Sequence, residues 1–101
     1  MSKRGYYIID RHWHGRYGEI DLVTSDPDGE TLVFVEVKTR TSEAFGGLDA
    51  SIDRRKLEKL AMAIDRYVAE RRYRGPYRLD AVLIKAGRKI EIRHLVNVAI
   101  D

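Results

Sequence analysis

Asp21, Glu36 and Lys38 are the residues whose types and spacing best suit chemistry. Glu36 and Lys38 end an apolar run that begins at Leu32, and two residues of separation place both side chains on one face of a strand. Asp21 lies within an earlier run that alternates in the manner of a strand, 19–24. If the two runs pair as a hairpin, two carboxylates and one ammonium group meet near a core edge. Charges in such a place cost several kcal/mol each unless they are paired or metal-bound.

Two adjacent carboxylates repel each other, and a divalent cation relieves that repulsion. Mg²⁺ and Mn²⁺ suit open, oxygen-rich sites because they retain several waters and accept phosphate oxygens. We therefore predict that Asp21 and Glu36 hold Mg²⁺ or Mn²⁺ with the backbone carbonyl of Val37, and that Glu19 is a candidate further ligand. Lys38 would orient the attacking water or stabilise charge on a phosphate, which predicts metal-assisted phosphodiester hydrolysis. Alternatively, Glu36 and Lys38 form a simple ion pair on a half-exposed strand.

The strands that carry these residues follow from side-chain alternation. In the third predicted strand, 31–39, both faces begin apolar, which is typical of a central strand covered on both sides. One face holds Val33, Val35 and Val37, and the other holds Leu32, Phe34, Glu36 and Lys38. In the second predicted strand, 19–24, Ile20 and Leu22 share one face, while Glu19, Asp21 and Val23 share the other.

Five strands and one long helix are predicted along the chain. The strands cover 6–13, 19–24, 31–39, 78–85 and 90–95, and the helix covers 51–72. A turn at 26–29 joins the second and third strands, because Pro27 restricts φ and Gly29 permits positive φ. The helix between the third and fourth strands permits a parallel crossover. The pattern predicts an α/β or α+β domain.

Length and composition support one globular domain over residues 1–101. The chain is 44% hydrophobic and 35% charged, and it contains no apolar run of the ~20 residues that a transmembrane helix needs. No apolar signal core follows the basic first residues. The absence of cysteine excludes disulfides and thiolate zinc sites. We predict a cytoplasmic protein without a membrane partner.

Positive charge is concentrated in the helical region. Between Arg54 and Arg78 there are nine basic and three acidic residues, a local net charge of +6 against +3 for the whole chain. This distribution fits a partner that is a polyanion, although an ordinary solvated helix face would look the same. The predicted contacts to a nucleic-acid backbone are Arg40, Arg54, Arg55, Lys56 and Lys59. Asp80, on the fourth strand, is either a structural hydrogen-bond acceptor or a neighbour of the site, and we favour the structural role.

Two segments, 18–23 (GEIDLV) and 34–40 (FVEVKTR), resemble the YraN-type family of small uncharacterised bacterial proteins. The resemblance spans about residues 5 to 98. That family is assigned to the restriction-endonuclease-like superfamily, in which a strand Asp precedes a Glu/Asp-x-Lys motif. The resemblance implies a mixed central sheet, a reaction centre at Asp21, Glu36 and Lys38, and metal-dependent cleavage of nucleic acid. DNA is favoured over RNA, and branched or damaged DNA is a candidate substrate.

Two departures from the superfamily pattern bear on activity. The first motif reads Ile-Asp instead of Pro-Asp. The chain also begins at the first strand, without the helix that usually precedes it, which would leave part of the sheet uncovered and remove a ligand. A homodimer could cover that surface. Two alternatives to a nuclease therefore stay open, namely a nucleic-acid-binding module without cleavage and a structural subunit that dimerises.

Overall fold

A computed structural model describes residues 5–16, 18–40 and 54–98, with only the backbone described at Arg40. It contains one helix and five strands in these segments. They are β1 (Tyr7–Gly15), β2 (Gly18–Ser25), β3 (Leu32–Arg40), α1 (Arg54–Glu70), β4 (Tyr77–Lys85) and β5 (Glu91–Leu95). The predicted order of elements is confirmed, and the fold is α/β with a mixed five-stranded sheet.

The strands lie in the order β1-β2-β3-β4-β5 across the sheet. β3 and β4 run parallel, and the other neighbours are antiparallel, so α1 forms the predicted crossover. The turn between β2 and β3 is closed by the N–H of Gly29, which donates to the carbonyl of Asp26 at 2.8 Å. Gly29 has φ of +76°, a backbone angle that glycine adopts at little cost.

The described part of the helix ends two residues before the predicted end of 51–72. Its first described turn begins at Arg54, and residues 51–53 lie outside the described part of the chain. At the other end the prediction was two residues too long. Arg72 has φ of +52°, and the N–H of Tyr73 donates back to the carbonyl of Val68 at 3.0 Å, which ends the helix. No helix in the described segments is long and apolar enough to cross a membrane.

The core lies between α1 and one face of the sheet. Four helix residues are buried against it: Leu60, Ala63, Ile64 and Tyr67. The Tyr67 ring meets Trp13 and Phe34 edge to face, with both centroid distances at 5.5 Å. This aromatic cluster locks α1 onto β1 and β3, and it thereby fixes where the first turn of α1 stands relative to the sheet.

One predicted face assignment is wrong. Ile20 was assigned to the face of Leu22, but Ile20 and Val23 are both fully buried in the core beneath α1. Strict alternation fails along an irregular β1–β2 pairing, whose register shifts between Ile8 and Asp10, and in which His12 and Asp21 are not paired and His12 has φ of +47°. This local distortion interrupts the period of two, so residues three apart reach the same side of the sheet.

Candidate active site

β2 and β3 separate at the place where Asp21 and Glu36 stand. Their pairing runs from Ser25 and Leu32 to Leu22 and Val35, and then stops. Just beyond this point, the backbone N–H of Val37 donates to Asp21 Oδ2 at 2.9 Å. The Asp21 side chain thus accepts the hydrogen bond that a β2 backbone carbonyl would accept in a continuous sheet. Beyond this point β2 and β3 diverge, and a cleft lies between them.

The backbone carbonyl of Val37 belongs to the same edge. The N–H and C=O of one strand residue point to the same side, so this carbonyl also faces β2. The Val37 carbonyl therefore lies on the side of β3 that carries the Asp21 contact, and its role as a metal ligand stays a prediction.

Glu36 is the most deeply placed charge of the cleft. It lies beside Ala81 in the parallel β3–β4 register and is only 4% exposed. Lys38 Nζ lies 3.9 Å from Glu36 Oε2, and the Lys38 side chain is 16% exposed. Lys56 reaches down from the first turn of α1 and places its Nζ 2.8 Å from the same oxygen.

Glu36 Oε2 has no hydrogen bond from the described residues, although it is buried. The short contact with Lys56 is an ion pair, and it is the main interaction that offsets the charge on this oxygen. Burial raises the pKa of Glu36 above its ordinary value; the neighbouring Asp21 carboxylate raises it further, and Lys56 opposes both. In turn the Glu36 carboxylate raises the pKa of Lys56. The site holds a carboxylate whose charge is incompletely stabilised.

The cleft has a volume of about 140 Å³. A water molecule occupies ~30 Å³ in the liquid, so a cation with several waters fits. Its walls come from β2, β3 and α1. They are formed by Gly18, Glu19, Asp21, Glu36, Lys56, Lys59 and Leu60.

The donor set suits a hard divalent cation with few protein ligands. Within residues 5–16, 18–40 and 54–98, no three His, Cys, Asp or Glu residues form a metal-binding group. The Asp21 and Glu36 carboxylates both line the cleft, and two carboxylate donors suit Mg²⁺ or Mn²⁺ better than a closed zinc site. Glu19 lines the cleft, but its Oε2 lies 3.6 Å from His14 Nδ1 on β1. Glu19 does not complete a three-carboxylate cluster.

The predicted phosphate contacts divide into two groups. Lys56 and Lys59 line the cleft. Arg54 and Arg55 are exposed on α1 but do not line it, and Arg54 Nε lies 3.6 Å from Glu58 Oε1. The side chain of Arg40, at the end of β3, lies outside what the structure describes. Lys56 was predicted to touch phosphate, and its partnership with Glu36 was missed because no local spacing relates the two residues.

A second buried carboxylate, Asp80, lies on the opposite face of the sheet and is 0% exposed. Its Oδ1 accepts hydrogen bonds from Arg78 Nε at 3.0 Å and from the Asn97 backbone N–H at 2.9 Å. His94 Nε2 lies 2.7 Å from Oδ2. Burial acts to raise the pKa of Asp80, but these partners outweigh burial and hold the pKa below its ordinary value. The structural role predicted for Asp80 is confirmed.

Sequence comparison assigns the chain to a family. The profile of "Uncharacterised protein family UPF0102" matches residues 1–84, which include both strands of the cleft, all of α1 and all but the last residue of β4. The chain belongs to the UPF0102 family. The family resemblance drawn from the two strand motifs is thereby confirmed, whereas the family description names no activity.

Curated UPF0102 proteins align over most of their length. A UPF0102 protein of Mycobacterium sp. (strain KMS) is 38% identical over 102 residues, covering 98% of this chain and 76% of the relative. One from Methylococcus capsulatus is 42% identical over 87 residues, covering 86% and 69%. One from Mycobacterium tuberculosis is 34% identical over 104 residues, covering 97% and 81%.

Proposed function

We propose that this UPF0102 protein is a metal-dependent nuclease that hydrolyses nucleic-acid phosphodiester bonds. The observation that carries the proposal is Glu36, a nearly buried carboxylate beside Asp21 whose Oε2 is approached, among the described residues, only by ammonium groups, those of Lys56 and Lys38. Buried polar groups are normally satisfied, and an exception calls for a ligand or a catalytic role. Asp80, equally buried and fully hydrogen-bonded, supports this distinction.

Asp21, Glu36 and the carbonyl of Val37 would hold Mg²⁺ or Mn²⁺ in the cleft. When bound, the cation would supply Lewis acidity for activating water and for neutralising charge on the phosphate. The Asp21–Val37 hydrogen bond orients the carboxylate before any ligand arrives, which reduces the ordering that binding requires.

Lys38 is the proposed electrostatic catalyst. Its ammonium group lies 3.9 Å from Glu36 Oε2 on the same strand face, held in a side chain that is mostly buried. A cation fixed there stabilises negative charge as it develops on the phosphate, or orients the attacking water. Because the surroundings are partly desolvated, the interaction is stronger than in bulk water.

The basic residues of α1 are the proposed contacts to the nucleic-acid backbone. Lys59 lines the cleft, and Arg54 and Arg55 lie exposed on the preceding turn. Such contacts position a phosphate chain and do not read its sequence. We propose DNA in preference to RNA, with branched or damaged DNA as the first substrates to test, in the cytoplasm.

A binding module that does not cleave is the second candidate. The ion pair between Lys56 and Glu36 favours it, because an ammonium group already offsets the buried carboxylate without any metal. The two candidates differ in what Asp21 does. A carboxylate that faces phosphate hinders a pure binder and serves only an enzyme.

The test is cleavage of branched, flapped and linear DNA, and of RNA, with Mn²⁺ or with a chelator. We expect Mn²⁺-dependent cleavage that Asp21→Asn abolishes while binding, followed by fluorescence anisotropy, survives. Asp65→Asn is the matched control, since Asp65 is an exposed acid of α1 outside the cleft. Binding without cleavage on every substrate, with Asp21→Asn binding equally or more tightly, would favour the second candidate.

A further inference from the structure

Lys56 differs from the other lysine that accompanies Glu36. Its Nζ lies 2.8 Å from Glu36 Oε2, yet its side chain is 49% exposed. Lys38 lies farther from the same oxygen, at 3.9 Å, and is only 16% exposed. Lys56 therefore makes the closer contact while retaining a route into solvent.

The charges of the cleft balance when Lys56 is in place. Asp21 and Glu36 bring two negative charges, and Lys38 and Lys56 bring two positive charges. A divalent cation at Glu36 would stand within a few ångströms of the Lys56 ammonium group, where like charges repel strongly in a partly desolvated site. One cation must leave, and the half-exposed Lys56 leaves at lower cost than Lys38.

We propose that Lys56 is an internal counter-cation that competes with the divalent metal for Glu36 and moves to a nucleic-acid phosphate when substrate binds. This inference rests on the proposed function. Because a phosphate draws Lys56 off the carboxylate, nucleic acid favours metal binding, and metal favours nucleic-acid binding by the same factor. The free protein then binds metal weakly, and the loaded site forms together with substrate.

The competition is tested by the Mn²⁺ affinity of the protein without nucleic acid, measured by calorimetry. Lys56→Met should bind Mn²⁺ about tenfold more tightly than the wild type, within the usual range of coupling between sites. Lys89→Met is the matched control: Lys89 is exposed outside the cleft, and its loss should change the affinity less than about twofold. Lys56→Arg retains the charge and should keep the weak affinity.

Further variants and measurements check this result. Lys56→Gln is a second neutral variant, and circular dichroism checks that each variant is folded. Adding Glu36→Gln to Lys56→Met should remove the gain in Mn²⁺ affinity, because the gain acts through Glu36. A phosphorothioate-protected DNA duplex should tighten Mn²⁺ binding to the wild type more than to Lys56→Met.

The outcomes separate this inference from the function on which it rests. If wild type and both neutral Lys56 variants bind Mn²⁺ with equal affinity, the competition is overturned and the nuclease proposal stands. If none of them binds Mn²⁺, with or without DNA, the metal site fails and the competition fails with it.

Discussion

Two buried carboxylates lie on neighbouring strands, and their surroundings are opposite. Glu36 on β3 faces α1, and Asp80 on β4 faces away from it; in the parallel register Glu36 is paired with Ala81, the residue after Asp80. Both are at most 4% exposed. The pKa of Glu36 is raised, first by burial, whereas hydrogen-bonding partners lower the pKa of Asp80 in spite of burial. Burial alone does not distinguish a structural carboxylate from a reactive one.

The difference lies in what each carboxylate connects. Asp80 ties Arg78 to His94 on β5 and to the backbone of Asn97, and Arg78 Nη1 also reaches Asp26 in the β2–β3 turn at 2.8 Å. Every one of these contacts joins parts of the fold. Glu36 contacts two ammonium groups in a cleft, and both approach the same oxygen, Oε2. The first arrangement stabilises the sheet, and the second retains capacity for a ligand.

The largest expected effect is on cleavage through Glu36. Substituting a group that only supports a metal ligand commonly costs 10–100-fold, so Glu36→Gln, which removes a ligand itself, should slow Mn²⁺-dependent cleavage by more than about 100-fold. Single-turnover cleavage rates at saturating Mn²⁺ would measure it. Glu30→Gln, an exposed change of the same type, is the control. If Glu36→Gln cleaves at the wild-type rate, Glu36 is not a reactive carboxylate and does not differ from Asp80 in function.

The next effect is on stability through Asp80. Removing one partner of a buried ion pair costs about 3–5 kcal/mol, because the other charge stays behind without compensation. Asp80→Asn should lower the free energy of unfolding at neutral pH by that amount in urea denaturation. Glu36→Gln should cost much less, since a neutral side chain avoids the penalty that burial places on the Glu36 charge. Equal losses in the two variants would erase the distinction between the two carboxylates.

The smallest expected effect is on the pH dependence of stability, through Asp80. The folded pKa of Asp80 lies below its ordinary value of 3.8, so its contribution to stability is complete above that value. The contribution is lost as pH falls through the folded pKa. The stability difference between wild type and Asp80→Asn should therefore shrink as pH falls from about 4 into stronger acid. A difference that grows on acidification would contradict the lowered pKa.

Much of the fold could be predicted because its causes are local. Alternation with a period of two placed Glu36 and Lys38 on one face of β3, and the Asp26–Gly29 turn brought Asp21 alongside. Alternation failed at Ile20, where the distortion at His12 in the neighbouring strand shifts the period. That distortion belongs to the pairing of two strands and leaves no mark in the sequence of β2 itself.

The sequence by itself determined the α/β element order and the acids and amine at one sheet edge, because backbone geometry sets which side chains share a face. Only the tertiary structure decided that Lys56 forms an ion pair with Glu36 and that both carboxylate oxygens of Asp80 have hydrogen-bond partners. Those contacts depend on where α1 docks and on how β5 and the chain after it return to the sheet. The pKa of a buried carboxylate depends on neighbouring charges and hydrogen-bond donors that are distant along the chain. Only folding brings these groups next to it.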